Sequence, residues 1–130
     1  MTAIAPQPIR IGDVTIHRIV EQEGPMFEVA QFFPGLTPQM IAPHRQWLEP
    51  RYFVDGRVML CIQSYLVETK SHNILVDTCV GNHKERPSRP FWHRMTSERY
   101  ERNLAVAGFS VGDIDYVMCT HLHGDHVGWN

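Results

Sequence analysis

The sequence has 130 residues, 43% hydrophobic and 20% charged, with a net charge of −2. These proportions are typical of a soluble, globular chain of one domain at most and argue against a disordered protein. No apolar run approaches the roughly 18–20 residues of a membrane span, and the start of the chain shows no secretory signal. The net charge of −2 argues against a nucleic acid as partner, because neutralising phosphates needs clustered Lys and Arg. We expect no membrane partner either.

The cysteines predict the cellular compartment. Cys61, Cys79 and Cys119 are an odd number, widely spaced, and they form no C-x-x-C pair. This pattern favours small buried hydrophobic residues in strands over a disulfide framework. It predicts a reducing, cytoplasmic location.

The first predicted element is a β-hairpin. Residues 9–11 and 14–20 form its arms around the turn pair Gly12-Asp13, and the second arm alternates apolar and polar side chains. From residue 24 to residue 57, five prolines interrupt an aromatic-rich segment. We expect a long loop with short helical pieces there.

The aromatic side chains allow two interpretations. They would either cover a sheet or form the wall of an apolar substrate pocket, and the sequence does not separate these roles. The residues concerned are Phe27, Phe32, Phe33, Trp47, Phe91 and Trp92.

The middle of the chain predicts two paired strands. Residues 58–67 are a nearly continuous apolar run, and residues 72–77 are a second run after the polar turn 68–71. Their lengths and the short connection favour an antiparallel hairpin.

A helix and a further strand follow. The pattern over 96–107 predicts a helix with Thr96 as N-cap and Gly108 just past its end. Tyr100, Leu104 and Ala107 would form the apolar face that packs on a sheet. Residues 114–119 predict a strand.

The most informative segment follows that strand. Of eight histidines, three lie within the run His121-Leu122-His123-Gly124-Asp125-His126. Such an H-x-H-x-D-H pattern arises by chance with a probability on the order of one in a thousand. In an extended chain, His121 and His123 project to the same side.

The glycine separates the two halves of the motif. Gly124 permits a sharp turn, after which Asp125 and His126 would begin a helix and diverge towards two neighbouring centres. Imidazole and carboxylate groups at this spacing are typical zinc ligands.

This motif resembles the zinc signature of the metallo-β-lactamase-fold hydrolases, and the upstream elements agree with that family in order and spacing. The resemblance implies an α/β fold: an αββα sandwich of mostly antiparallel sheet with covering helices. The matched elements are the 60–67 and 72–77 hairpin, the 75–78 segment, the helix near 100–108 and the 114–120 strand.

The resemblance also implies a ligand set and a cofactor, two Zn²⁺ ions per complete domain. His121 and His123 match the ligands of the first metal, and Asp125 and His126 match those of the second. Asp77 matches a residue that supports the metal loop through hydrogen bonds. Substrate-contacting residues are not predicted.

The family's remaining ligands would lie beyond Asn130, which predicts that residues 1–130 are the N-terminal half of a single metallo-β-lactamase-fold domain. The missing C-terminal half, or a complementary chain, is then the expected partner, and a homodimer is a further option. Alone, the half-domain is expected to be inactive and to expose the inward face of its sheet. The residues assigned to that face are Leu60, Ile62, Leu75 and Val117.

The implied activity is that of a zinc-dependent hydrolase. A hydroxide bridging the two metals would attack an ester, lactone or phosphoester, and Asp125 would orient it as the catalytic carboxylate. If the aromatic side chains form an apolar pocket, the site would resemble the lactonase and organophosphate-hydrolase branch more than the RNA-processing branch, given the net charge of −2. Two alternatives stay open: a glyoxalase II-like thioesterase, and a non-catalytic interaction subunit or fragment that bears the metal loop.

Overall fold

The computed structural model describes residues 7–130. The first six residues, which belong to the region where no secretory signal is expected, lie outside the described part. The fold is mixed α/β with more sheet than helix, as predicted. Among residues 7–130, none of the helices has the length and apolar character needed to span a bilayer.

The strands of residues 7–130 form one sheet. They are β1 (Ile9–Ile11), β2 (Val14–Glu28), β3 (Phe53–Val54), β4 (Arg57–Glu68), β5 (Asn73–Val76) and β6 (Tyr116–Met118). The order is β1-β2-β4-β5-β6, with β3 paired to β4. The pairs β1/β2, β3/β4 and β4/β5 are antiparallel, whereas β5/β6 is parallel.

The helices of the described chain are short, except for the last. They are α1 (Val29–Phe32), α2 (Pro38–Ile41), α3 (Arg45–Leu48) and α4 (Arg99–Val106), with 3₁₀ turns at Ala42–His44 and Val111–Asp113. Short helical pieces were predicted between the prolines of residues 24–57, and α1, α2 and α3 lie in that segment.

Both predicted hairpins are confirmed. The β1/β2 register places Ile11 opposite Val14 around the Gly12-Asp13 turn, and Leu66 lies opposite Leu75 in β4/β5. The prediction that the chain leaves the sheet by residue 24 is wrong, because β2 continues through Gly24 and Pro25 to Glu28. A proline is compatible with a strand where its missing N–H is not needed in the ladder.

The backbone divides into two compact units, and β2 and β4 each pass from one to the other. One unit comprises the chain up to Glu21 together with Ile62–Asn130, and the other comprises Gln22–Cys61. The histidine-rich segment belongs to the first unit.

In the first unit, α4 covers one face of the sheet. Tyr100 and Leu104 are each 2% exposed, and the Tyr100 hydroxyl lies 2.9 Å from Ser64 Oγ of β4. The predicted N-cap is wrong. The helix begins at Arg99, with Glu98 at the cap position, and Ser97 Oγ accepts a hydrogen bond from Arg99 N at 3.2 Å. Gly108, with φ of +95°, ends the helix as predicted.

The face of the sheet predicted to be exposed is largely the covered one. Ile62 and Leu75 are buried and Leu60 is half-buried. Ile62 shares the face of Ser64, which contacts α4, and Leu75 lies opposite Leu66 on that face. Leu60 packs instead against Val29, Phe53 and Val58. Only Val117 of the four is exposed. The opposite face is the more open one: it carries Tyr65 of β4, which pairs with Val76, together with Tyr116 and Met118 of β6, which pair with Ile74 and Val76.

The cysteine prediction is confirmed only in part. Cys61 lies half-buried in β4, but Cys79 is buried in a loop with φ of +52°, and Cys119 is exposed after β6. None of the three, all of which the structure describes, forms a disulfide.

In the second unit, an apolar cluster forms the core. Val29, Phe53 and Val58 are buried, and Leu36, Ile41, Leu48 and Leu60 pack against them. Beside it lies a cavity of about 320 Å³ whose lining includes Phe33, Met40 and Trp47. Of the predicted pocket aromatics, Phe33 and Trp47 line this cavity, whereas Phe27 contacts Phe32 and Phe91 contacts Trp92.

Candidate metal centre

Residues 120–130, here called the histidine loop, follow β6 after the single residue Cys119. The amide of His126 donates to the carbonyl of His123 at 3.0 Å, which closes a turn over Gly124 and Asp125. The segment is a turn and not the start of a helix, so the helix predicted after Gly124 is wrong. The tight turn still brings both halves of the motif to one place.

Three imidazole rings lie against each other in this loop. His121 Nε2 is 3.1 Å from His123 Nδ1. The ring centroids of His121 and His126 are 3.9 Å apart, and those of His121 and His123 are 4.6 Å apart. Asp125 is half-buried, with Oδ2 3.7 Å from His126 Nε2. The predicted ligands are therefore neighbours in space.

Asp77 lies directly beneath these rings. Its backbone adopts φ of +60° just past β5, and its carboxylate accepts hydrogen bonds from the Thr120 amide at 2.8 Å and the Thr120 hydroxyl at 2.9 Å. His126 Nδ1 lies 2.9 Å from its Oδ2. Burial by itself raises the pKa of the Asp77 carboxyl, but the hydrogen bonds from Thr120 and His126 outweigh it and hold that pKa below its ordinary value.

A short backbone ladder fixes the far end of the loop. Thr78 N donates to His126 O at 2.8 Å, and Gly128 N donates to Cys79 O at 2.8 Å. Gly128 lies so close to residues 80–81 that a Cβ on it would be 1.9 Å from the Val80 carbonyl carbon. Only glycine allows this approach of two backbones.

Two further side chains that sequence reasoning missed hold the same region. The buried carboxylate of Glu21 accepts hydrogen bonds from two backbone amides and from the Trp129 indole at 2.7 Å. The Arg86 guanidinium donates to the Val80 carbonyl at 3.0 Å and lies against Gly124, where a Cβ would be 2.1 Å from its Nη1. No local pattern marks either residue, because their partners are distant in sequence or are backbone groups.

The chemistry of the donor set fits zinc, since imidazole nitrogens and a carboxylate are its usual ligands. The donor atoms are engaged with one another instead of pointing at a common centre. Within residues 7–130, no three His, Cys, Asp or Glu side chains are arranged so that they could hold a metal ion.

Comparisons with known proteins agree with the fold. The family model of the metallo-beta-lactamase superfamily matches residues 62–130, more than half of the chain. This chain belongs to that superfamily. The match includes β5, α4, β6 and the whole histidine loop.

Individual relatives are similar over part of their length. "Lactamase-like protein nscB" of Arthroderma gypseum is 36% identical over 66 residues, which are 50% of this chain and 16% of that protein. The solved structure of AidC, a dizinc quorum-quenching lactonase with a bound product, matches 94% of this chain with 26% identity and a TM-score of 0.67. A probable metal-dependent hydrolase from Staphylococcus aureus matches 91% with 27% identity and a TM-score of 0.63.

The chain spans 37% of the length of AidC and 41% of the Staphylococcus aureus hydrolase. These structures therefore contain a large region with no counterpart among the 130 residues.

Proposed function

We propose that this chain supplies part of the active site of a zinc-dependent hydrolase acting on an ester, lactone or phosphoester. The observation that carries the proposal is the contact of His121, His123 and His126 in one loop, with Asp125 beside them. Superfamily membership supports a hydrolase, and the similarity to a dizinc lactonase makes a lactone the first substrate to test.

The candidate residues would have separate roles in binding metal and in the reaction. His121 and His123 would hold one metal, and Asp125 and His126 would hold a second. When bound, zinc supplies a Lewis acid and lowers the pKa of water towards about 7. Asp125 would orient the attacking water and accept its proton on a carboxylate oxygen.

Asp77 would act through its neighbours and not on the substrate. Its carboxylate accepts from Thr120 and contacts His126. A carboxylate bonded to one imidazole nitrogen fixes the tautomer and orientation of the ring, so the other nitrogen is available to a metal.

We infer further that residues 1–130 form the N-terminal half of a single domain. The relatives are much longer, and the open face of the sheet exposes Tyr116 and Met118 by 55% and 58%. Large apolar side chains clustered at such exposure are usually covered in the assembled protein. The covering layer would be the C-terminal half or a complementary chain.

The test is metal content and turnover in the full-length protein. Elemental analysis should find about two zinc ions per molecule, and hydrolysis should be assayed on a lactone, an aryl ester, a thioester and a phosphotriester. Hydrolysis of the thioester alone would favour the glyoxalase II-like alternative. Full zinc with no turnover on any substrate would favour the interaction subunit.

The matched variant is Asp125→Asn in the full-length protein. It keeps the size of the side chain but removes the charge that would ligate metal and accept the proton. We expect kcat to fall on the order of a hundredfold or more, while circular dichroism stays unchanged because the half-buried carboxylate adds little to packing. Near-normal turnover would remove Asp125 from the reaction.

A further inference from the structure

A carboxylate outside the histidine loop is more deeply buried than any within it. Glu21 of β2 is 1% exposed. A charged group at such burial is stable only when its oxygens are hydrogen-bonded. The position of its partners therefore shows what this side chain holds together.

Its partners are three N–H groups on two separate segments. Glu21 Oε2 accepts from Val80 N at 2.9 Å, and Oε1 accepts from Gly81 N at 3.1 Å. The same Oε1 accepts from Trp129 Nε1 at 2.7 Å. One carboxylate thus joins the loop after β5 to the far end of the histidine loop.

The indole is held on its face as well as at its edge. The Trp129 and Tyr100 rings stack with centroids 5.2 Å apart and an interplanar angle of 15°. The Tyr100 hydroxyl is bonded to Ser64 Oγ at 2.9 Å, and burial raises the pKa of this phenol. Glu21 and α4 therefore fix Trp129 from two directions.

Trp129 is only three residues beyond His126. Between them, Gly128 is bonded to Cys79 and the Trp129 amide is bonded to Thr78 at 3.0 Å. Asp77 fixes the near side of the loop through Thr120, whereas Glu21 fixes the far side. The two carboxylates thus hold the same loop at different points: Asp77 at Thr120 and His126, and Glu21 at residue 129.

We propose that Glu21, acting through Trp129 and the amides of residues 80–81, is a positioning residue that sets the placement of Asp125 and His126. This inference rests on the proposed function, because it assigns Glu21 to the same site. Glu21 itself bonds to none of the candidate ligands among the contacts described. It acts by fixing the backbone that carries them.

The central variant is Glu21→Gln. It has the same shape, but its amide nitrogen faces an N–H donor and cannot accept from it. The matched control is Glu23→Gln, the same substitution two residues further along β2 at an exposed position. We expect hydrogen exchange in the metal-free, full-length protein to become at least tenfold faster at the amides of residues 80–81 and 126–129, and to stay unchanged in α4.

In the same variant we expect zinc affinity to fall about tenfold or more, by analogy with other residues that orient ligands indirectly. We expect kcat to fall with little change in KM, because the substrate is not contacted. Glu23→Gln should match the wild type in all three measurements.

Trp129→Phe provides a second route if Glu21→Gln fails to fold. Phenylalanine can keep the stack on Tyr100 and removes only the indole donor. Trp129→Phe alone should also lower zinc affinity, and wild-type affinity in this variant would contradict the role of the bond. Where both single variants fold, the double variant should lose no more zinc affinity than about the larger single loss, instead of the product of the two.

The outcomes separate this inference from the proposed function. If the wild type binds zinc and hydrolyses substrate while Glu21→Gln does so equally well, the positioning role is overturned. If exchange accelerates equally in α4, Glu21 serves the fold in general and the inference also fails. If the wild type neither binds zinc nor hydrolyses any substrate, the proposed function fails, and the exchange pattern alone decides whether Glu21 positions the loop.

Discussion

Residues 29–53 and the histidine loop both consist mainly of turns and short elements, yet different forces hold them. The first segment packs apolar side chains, with Val29 and Phe53 buried together. The second is tied by hydrogen bonds to carboxylates and backbone groups, among them Asp77 and Glu21. Apolar packing depends on filled volume and tolerates apolar substitutions that conserve it, whereas charged hydrogen bonds fix direction and distance. The histidine loop, which carries the candidate ligands, is therefore the segment held by directional hydrogen bonds.

The largest effect on stability is expected for Phe53→Ala in the apolar cluster. Removing a buried phenylalanine leaves a cavity and should lower the free energy of unfolding by about 3–5 kcal/mol. Met40→Ala is the matched control, because Met40 is 55% exposed and should cost within about 0.5 kcal/mol. Urea unfolding measures both. Equal losses would mean that Phe53 is not part of a packed core.

Gly128→Ala tests the close backbone approach in the histidine loop. The added Cβ would lie 1.9 Å from Val80 backbone atoms, which cannot rotate away, so we expect a loss of about 1–3 kcal/mol. Gly124→Ala is the control, because its Cβ would meet only the end of the Arg86 side chain, which can move. A loss for Gly124→Ala as large as that for Gly128→Ala would contradict this account.

Asp77→Ala tests whether Asp77 orients the histidine loop or is only a turn residue. It removes the acceptor of the Thr120 amide and the partner of His126. We expect zinc affinity of the full-length protein to fall by about 10–100-fold. Asp77→Asn, which can still accept from Thr120, should lose less. Wild-type zinc content and turnover in Asp77→Ala would leave Asp77 an ordinary turn residue.

The smallest effect is expected at an exposed polar contact. The side-chain and backbone hydrogen bonds from Ser110 hold the pKa of Asp113 below its ordinary value. A lowered folded-state pKa stabilises the fold above the unfolded pKa, and this contribution is lost as the pH falls through the folded value. Asp113→Asn should therefore slightly flatten the acid side of the stability curve measured by urea unfolding. A curve as steep as that of the wild type would refute this.

The strands could be predicted from the sequence because alternation and apolar runs are local signals. The prediction of which face of the sheet is exposed was wrong. The sequence around Leu75 does not indicate which face α4 covers, and only the contact between Ser64 and Tyr100 shows it. The helix start was misplaced by a few residues because Thr96 and Ser97 are both good caps, and only the structure shows Ser97 bonded to Arg99.

The candidate ligands could also be found, because three histidines in six residues are a strong compositional signal. Their supports could not. Glu21 looks like any polar strand residue, and its partner Trp129 is 108 positions away. Arg86 donates to the backbone carbonyl of Val80. Because every residue has such a carbonyl, the sequence does not indicate this bond.

The bond between Glu21 and Trp129 also bears on the order in which the protein is made. Chains emerge from the ribosome N-terminus first, and contacts between distant residues form later than local ones. The β1/β2 and β4/β5 hairpins can form while the chain is still growing. Glu21 cannot be joined to the histidine loop until position 129 has been synthesised, because its partner there is 108 residues away. The candidate ligands at 121–126 are therefore synthesised before the indole that anchors their loop, and the loop can reach its final placement only once residue 129 has followed them.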